Sequence, residues 1–197
     1  MVVKAEYAPG SKDFSDVILK AKSAGAEAVF AVPTPPDGMT IFKQMKELDY
    51  NPKAYLFVRA PDGPVWGQNL GKNGDYVLLM PGWHNSVRYP KVAELNESHR
   101  KRVNRPADVL VGPSYACVQI AADAIARAGS LDRGKIRDAI AATNMTTVVG
   151  PVRFKPDGKG EVRVFIPQWQ KGKQELVWPK EFATAPFVYP APPFDRR

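Results

Sequence analysis

Four side chains in this 197-residue chain have the chemistry to hold a small polar molecule: the hydroxyl of Thr34, the cation of Arg59, the carboxylate of Asp62 and the indole of Trp83. They stand in three loop-like segments, Pro33-Thr34-Pro35-Pro36, Arg59-Ala60-Pro61-Asp62 and Pro81-Gly82-Trp83-His84. Pro35 and Ala60 join them as candidate binding residues of the first two loops. Cleft binding needs backbone groups and a few convergent polar or aromatic side chains, and these loops offer both. Each side chain also has a plainer reading. Thr34 can cap the helix that follows, Arg59 can be solvated or paired with Asp62, and Trp83 can be half-buried core.

Bond-making chemistry is scarce by comparison. Two histidines, His84 and His99, exclude a three-histidine zinc site, and a single Cys117 excludes both an internal disulfide and a thiolate zinc module. Ser114 lacks the G-x-S-x-G elbow, and no Walker or G-x-G-x-x-G motif follows a strand. Asp37 and Asp62 fall on neighbouring loops, but two carboxylates without further machinery are common on surfaces. Cys117 lies in an apolar helical run and reads as a small core residue. No catalytic residue, metal or cofactor is therefore assigned, and the chain is not read as an enzyme.

The elements that must position these loops alternate between strand and helix. Met1 to Tyr7 reads as a strand stopped by Pro9-Gly10, and Asp13 or Ser15 starts a helix striped by Phe14, Val17, Ile18 and Ala21. Ala28 to Val32 reads as a strand buried on both faces, a helix follows from about Asp37 to Leu48, and further strands fall at 55–58 and 76–80 with a short helix at 65–70 between them. Strands spaced by helices imply βαβ units and a parallel sheet, and ligands of such sheets sit beyond the carboxyl ends of the strands. The three loops lie at those ends.

The second half changes character. Helices are expected from Pro90 to Val103, from Pro113 to Ala128 and from Asp132 to about Ala142, the middle one apolar nearly all round. After Gly150-Pro151 the period becomes two, which predicts antiparallel hairpin strands at 152–154, 162–169 and 174–178. The Pro- and aromatic-rich stretch from Pro179 to Arg197 is expected to run over the surface.

Composition bounds the alternatives. Hydrophobic residues make up 44% of the chain, enough for a core. The formal net charge of +8 invites nucleic acid, but the densest basic stretch, His99-Arg100-Lys101-Arg102, reads better as a solvated helix end, and no nucleic-acid partner is expected. No apolar run is long enough to span a bilayer, and the first ten residues lack the basic and apolar regions of a signal peptide.

Several runs resemble, in order and spacing, the branched-chain amino acid family of ABC-transporter substrate-binding proteins. They include Asp13-Phe14-Ser15, Ala24-Gly25-Ala26-Glu27-Ala28-Val29-Phe30, Pro35-Pro36-Asp37, Lys46-Glu47-Leu48 with Tyr50-Asn51-Pro52, Pro81-Gly82-Trp83-His84, and Arg105-Pro106-Ala107-Asp108. Further on come Ala128-Gly129-Ser130-Leu131-Asp132, Val149-Gly150-Pro151-Val152-Arg153-Phe154 and Gln168-Trp169-Gln170-Lys171-Gly172.

The resemblance implies an α/β type I periplasmic-binding fold, in which two lobes close on an amino acid, an amide or a related acid that is handed to an ABC permease. It implies a periplasmic, extracytoplasmic location. Family members are about twice this length, so the chain looks like their C-terminal half, with residues 1–82 in lobe two, 83–145 as hinge crossover and helices of an incomplete lobe one, 146–179 as hairpins near the hinge, and 180–197 as a tail. Within the site, Thr34 stands where the family commonly has an aromatic ring, Asp62 would be the acid that holds an amino group, Arg59 hints at a ligand with a further carboxylate or an aromatic acid, and Trp83 falls near the hinge. A full-length member would be a monomer, whereas this chain would bare Val118, Ile120 and Ile125 and self-associate. The alternative within the same fold is the ligand-sensing domain of an amide-responsive regulator or receptor.

Overall fold

The computed structural model describes residues 1–197, and the first strand-and-helix units arise where the apolar period demands them. Helix α1 (Ser15–Ser23) follows an Asp13 carboxylate that accepts the Ser15 amide at 2.9 Å, and it buries Ile18. Strand β1 (Ala28–Ala31) leads through Pro33 and Thr34 into α2 (Pro35–Glu47), whose prolines occupy the first helical positions, where no amide is needed. Strands β2 (Ala54–Phe57) and β3 (Val77–Leu78) run parallel to β1, with α3 (Val65–Leu70) between them.

Residues 1–81 and 166–197 form one compact unit, and residues 82–165 a second. In the first, the strands β7 (Ile166–Gln170) and β8 (Lys173–Trp178) complete a five-stranded sheet in the order β1-β2-β3-β7-β8, and β7 is antiparallel to β3. This hairpin was expected near the hinge. It belongs instead to the parallel sheet, because the edge of β3 offers it a ladder: Tyr76 and Leu79 donate their amides to the carbonyls of Trp169 and Pro167 at 2.6 and 3.1 Å.

The core of this unit is aromatic. Phe42 on α2 meets Tyr55, Trp66, Phe194 and Phe57 edge-on, with centroids 5.0 to 5.8 Å away. Such pairs add about 0.5–1.5 kcal/mol each beyond area burial. Arg197 closes the cluster. Its guanidinium lies 3.9 Å from the Phe194 ring centroid and donates to the carbonyls of Asn73, Asp75 and Pro192, to Asn51 Oδ1 and to the Tyr55 hydroxyl. The stretch after Pro179, expected to lie loosely on the surface, is thus docked: Ala191 and Phe194 are buried and the Ala191 amide donates to the Lys53 carbonyl.

Two further expectations fail in this unit. Residues 1–7 form no strand, and the two-faced burial expected of Ala28 to Val32 is not reached. Phe30 is 67% exposed and Val32 63%, since β1 is the end of the sheet and has a partner on one side only.

The second unit holds α4 (Val92–Val103), α5 (Val111–Ala128) and α6 (Arg133–Ala141), followed by a three-stranded antiparallel sheet of β4 (Asn144–Thr147), β5 (Gly150–Phe154) and β6 (Gly160–Glu161). Asp132 caps α6 as expected, accepting the Lys135 amide at 2.9 Å. The unit is built around Trp83, whose indole N–H donates to the Val148 carbonyl at 2.9 Å. Gly112 of α5 passes so close that a Cβ there would sit 2.2 Å from the ring. The expectation that α5 is buried on several sides is corrected: only Gly112, Ala116 and Ala124 are buried, while Tyr115, Val118 and Ile125 are exposed. Cys117 is exposed too, not core, because it lies off the narrow face that those small residues bury. No helix is long and apolar enough to cross a membrane.

Candidate functional site

Because β1 and β2 are parallel and in register from Ala28↔Ala54 to Ala31↔Phe57, the loops that follow them leave the sheet at the same edge. This sets residues 33–36 and 59–62 side by side. The first turn of α2 ties them together: a Cβ on Gly38 would lie 2.3 Å from Ala60 Cβ and 3.1 Å from Pro33 Cγ. Only glycine lets the helix approach both loops so closely.

Thr34 is the N-cap residue of α2, yet its hydroxyl makes no capping bond; its carbonyl accepts the Gly38 amide at 2.9 Å. The exposed hydroxyl is therefore unspent by the helix, and the cap role read from sequence is not realised. Pro35 opens the helix beside it. Ala60 is buried under Gly38 and serves as packing.

Arg59 is held at φ +77°, a left-handed conformation that a non-glycine residue adopts only at a cost of roughly 1–3 kcal/mol and that recurs at ligand clamps. Its side chain is 63% exposed, while that of Asp62 is 6% exposed, and Nε lies 3.8 Å from Asp62 Oδ2. A buried carboxylate is expensive to leave without a positive neighbour, so Asp62 draws the guanidinium toward the loop and leaves its outer face to solvent.

The loop is pinned from behind by the far half of the sheet. Trp169 Nε1 donates to the Pro61 carbonyl at 2.9 Å, and Gln174 Nε2 donates to the carbonyls of Pro61 and Asp62 at 2.9 and 3.0 Å. Gly67 makes room for the Trp169 ring, which would lie 2.7 Å from a Cβ at that position. Trp169 and Gln174 are the positioning residues that sequence reading did not single out. No local signal could mark them, since the loop they hold is more than a hundred residues away in the chain.

Asp37 and Asp62 do not make a working pair. Asp37 is buried with both oxygens accepting the Gly10 amide at 3.2 Å, and Asp62 faces Arg59. Tyr7 stands near Asp37, and its phenol is pushed above its ordinary pKa by burial first and by that negative charge second. Trp83 does not present an aromatic wall: it is 0% exposed inside the second unit, with its only polar atom engaged. His84 bonds Ser86 and His99 the Arg105 carbonyl, and no group of three or more His, Cys, Asp or Glu is placed to hold a metal. What the site offers is one exposed cation over a buried anion, a free hydroxyl and rigid backbone. Such a set can bind and orient a small acid; it contains no activated nucleophile.

Known proteins resemble this chain over most of its length. A family model described as periplasmic binding protein matches residues 1–174. Leu/Ile/Val-binding protein homolog 1 of Brucella abortus is 30% identical over 167 residues, 83% of this chain and 44% of that protein. The leucine-, isoleucine-, valine-, threonine-, and alanine-binding protein of Pseudomonas aeruginosa is 25% identical over 82% of this chain and 43% of its own length. Among solved structures, a leucine binding protein from Thermotoga maritima superposes with a TM-score of 0.79 at 23% identity, over 85% of this chain and 48% of that one. A solute binding protein from R. palustris in complex with benzoate gives 0.75 at 15% identity, over 93% and 50%. The chain thus spans about half the length of the relatives it matches, and over that half its fold is the α/β type I fold of those proteins. With the model matched across most of the sequence and the parallel-sheet edge built as described, this chain belongs to the periplasmic binding protein family.

Proposed function

We propose that these residues are the ligand-binding half of an ABC-transporter substrate-binding protein, and that the solute carries a carboxylate that Arg59 grips. The observation that carries this reading is the Arg59–Asp62 pair. A largely exposed guanidinium stands 3.8 Å from a buried carboxylate, at the carboxyl edge of a parallel sheet, in a chain of this family. An amino acid or a related acid suits that pair, its carboxylate on Arg59 and any amino group toward Asp62, with Thr34 contributing its hydroxyl. The leucine-, isoleucine-, valine-, threonine-, and alanine-binding protein of Pseudomonas aeruginosa and the R. palustris protein in complex with benzoate take solutes of this class. The reading entails an extracytoplasmic location and delivery to a membrane permease. The exposed Tyr115, Val118 and Ile125 of α5 favour self-association of residues 1–197 in isolation.

Thermal shift and calorimetry against leucine, isoleucine, valine, their amides and benzoate test the proposal. A ligand at ten times its Kd stabilises by about 1.4 kcal/mol. At least one acid is expected to raise Tm while its amide does not, and Arg59→Ala should abolish the shift. An unchanged affinity in both Arg59→Ala and Asp62→Ala would overturn the assignment.

A further inference from the structure

The loops at the carboxyl edge of β1 and β2, with the first turn of α2, carry two carboxylates, and neither is open to a ligand. Asp37 is buried, and both its oxygens accept the Gly10 amide at 3.2 Å. Each side-chain oxygen of Asp62 exposes less than 1 Å² to solvent. The backbone that carries Asp62 is fixed as well. Gly38 packs so tightly on this loop that a Cβ there would lie 2.3 Å from Ala60 Cβ, and Gln174 holds the Asp62 carbonyl at 3.0 Å. The Asp62 charge acts on Arg59, whose Nε lies 3.8 Å from Oδ2, but it presents no oxygen for a ligand to bond.

A primary ammonium has three protons to place, and backbone carbonyls are the other acceptors that a loop can offer. Here they are engaged within the protein. The Thr34 carbonyl accepts the Gly38 amide at 2.9 Å, and the Pro36 carbonyl accepts the Thr40 hydroxyl at 3.1 Å. The Arg59 carbonyl accepts the Asp62 amide at 3.4 Å. The Pro61 carbonyl takes two donors, Trp169 Nε1 and Gln174 Nε2, both at 2.9 Å, which spends both its lone pairs. Donors are in the opposite condition. The guanidinium of Arg59 is largely exposed, and the exposed Thr34 hydroxyl makes no bond to the helix it precedes. The edge is rich in donors and poor in acceptors, which suits an anion. An ammonium one carbon from the gripped carboxylate would bring a second cation up to Arg59 and exchange its water for little more than one hydroxyl.

We propose that this edge selects carboxylic acids with no ammonium beside the carboxylate, aliphatic or aromatic, and that Asp62 is a positioning residue for Arg59 and not the holder of an amine. The inference rests on the acid-binding reading and narrows it to one class of acid. An amino group turned toward Asp62 meets the exposed guanidinium, while both carboxylate oxygens are out of its reach. Discrimination of this kind comes from what the disfavoured ligand leaves unpaired, and an acid without the ammonium leaves nothing. The part left to Asp62 is to hold the side chain of Arg59, a residue already fixed at φ +77°, near one place on the edge.

The probes are matched sets added to residues 1–197 in a calorimeter: leucine, 4-methylpentanoate and 4-methylpentanamide, then phenylalanine, 3-phenylpropanoate and 3-phenylpropanamide. Within each set the amino acid and the acid differ only by the ammonium, and the acid and the amide only by the carboxylate. In at least one set the acid is expected to bind about tenfold or more tightly than its amino acid, and Arg59→Ala should abolish that binding. Asp62→Asn keeps the shape of the side chain and removes its charge. It should weaken the acid and the amino acid by the same factor, within about twofold, because it acts on both through Arg59. An amino acid that binds as tightly as its acid, with Arg59 still required, overturns this inference and leaves the acid-binding reading standing. So does an Asp62→Asn variant that weakens the amino acid alone, since Asp62 would then hold the amine. Acids that bind no better than their amides, or as well without Arg59, overturn the acid-binding reading and this inference with it.

Discussion

Replacing Arg197 with Met is the sharpest test of how the first unit is held together. The guanidinium bonds three carbonyls, a side-chain amide oxygen and the Tyr55 hydroxyl while lying over Phe194, and the charge of Asp75 favours its cation through space. Burial pushes its pKa below the ordinary arginine value, a sign that desolvation opposes its charge. Bonds to charged groups contribute about 1.5–3 kcal/mol each before that cost, and the ring contact roughly 1 kcal/mol. Met retains the stem's apolar volume but leaves the Asn73 and Asp75 carbonyls without their donor, so the net loss is about 3 kcal/mol. For a domain of this size that lowers Tm by roughly 6–12 °C. Near-ultraviolet circular dichroism follows the aromatic cluster through the melt, and Arg197→Lys should fall between, since one ammonium cannot reach all five acceptors. A Met variant melting within about 1 °C of the parent would refute the reasoning.

Three further outcomes are expected. Tyr55 is fully buried and its pKa is pushed up to about 12 by desolvation, so the native state keeps a proton that the unfolded chain releases near 10; stability is complete below pH 10 and falls by about 2–3 kcal/mol toward pH 12, and urea melts across that range should flatten in Tyr55→Phe. Gly112→Ala gains about 1 kcal/mol of helix propensity but overpacks an indole fixed by Val148, so a net loss on the order of 2 kcal/mol should appear in denaturant titration. Gln174→Ala frees the Asp62 carbonyl and leaves the Pro61 carbonyl to Trp169 alone, and it should weaken acid binding by about tenfold with Tm nearly unchanged, because the site is only partly buried; equal affinity would show that Trp169 alone holds the loop.

The helices were legible because each carries a local stripe and a stop: Phe14 and Ile18 before Gly25 in α1, Phe42 and Met45 in α2, the Asp132 cap in α6. So was the parallel order of β1, β2 and β3, since helices must return between them. Which sheet a hairpin joins is a long-range matter, and the period-two run at 166–178 carries no mark of β3. Strand β4, Asn144–Thr147, is polar and gave no alternation to read. At the site, Arg59, Asp62 and Thr34 were visible as chemistry on loops, whereas the burial of Trp83 depends on Gly112 and Val148, which no spacing connects to it.

The sheet of the first unit is written in two separate passages of the chain. Leu78 waits for Gln168, ninety residues further along, and in the meantime the whole second unit is made. At about 5–20 residues per second on the ribosome, the edge of β3 stands open for roughly 5–20 s. Nascent chains paused in that interval should be the ones that chaperones hold and proteases cut, and slowing translation between residues 82 and 165 should cost more folded protein than slowing it anywhere before.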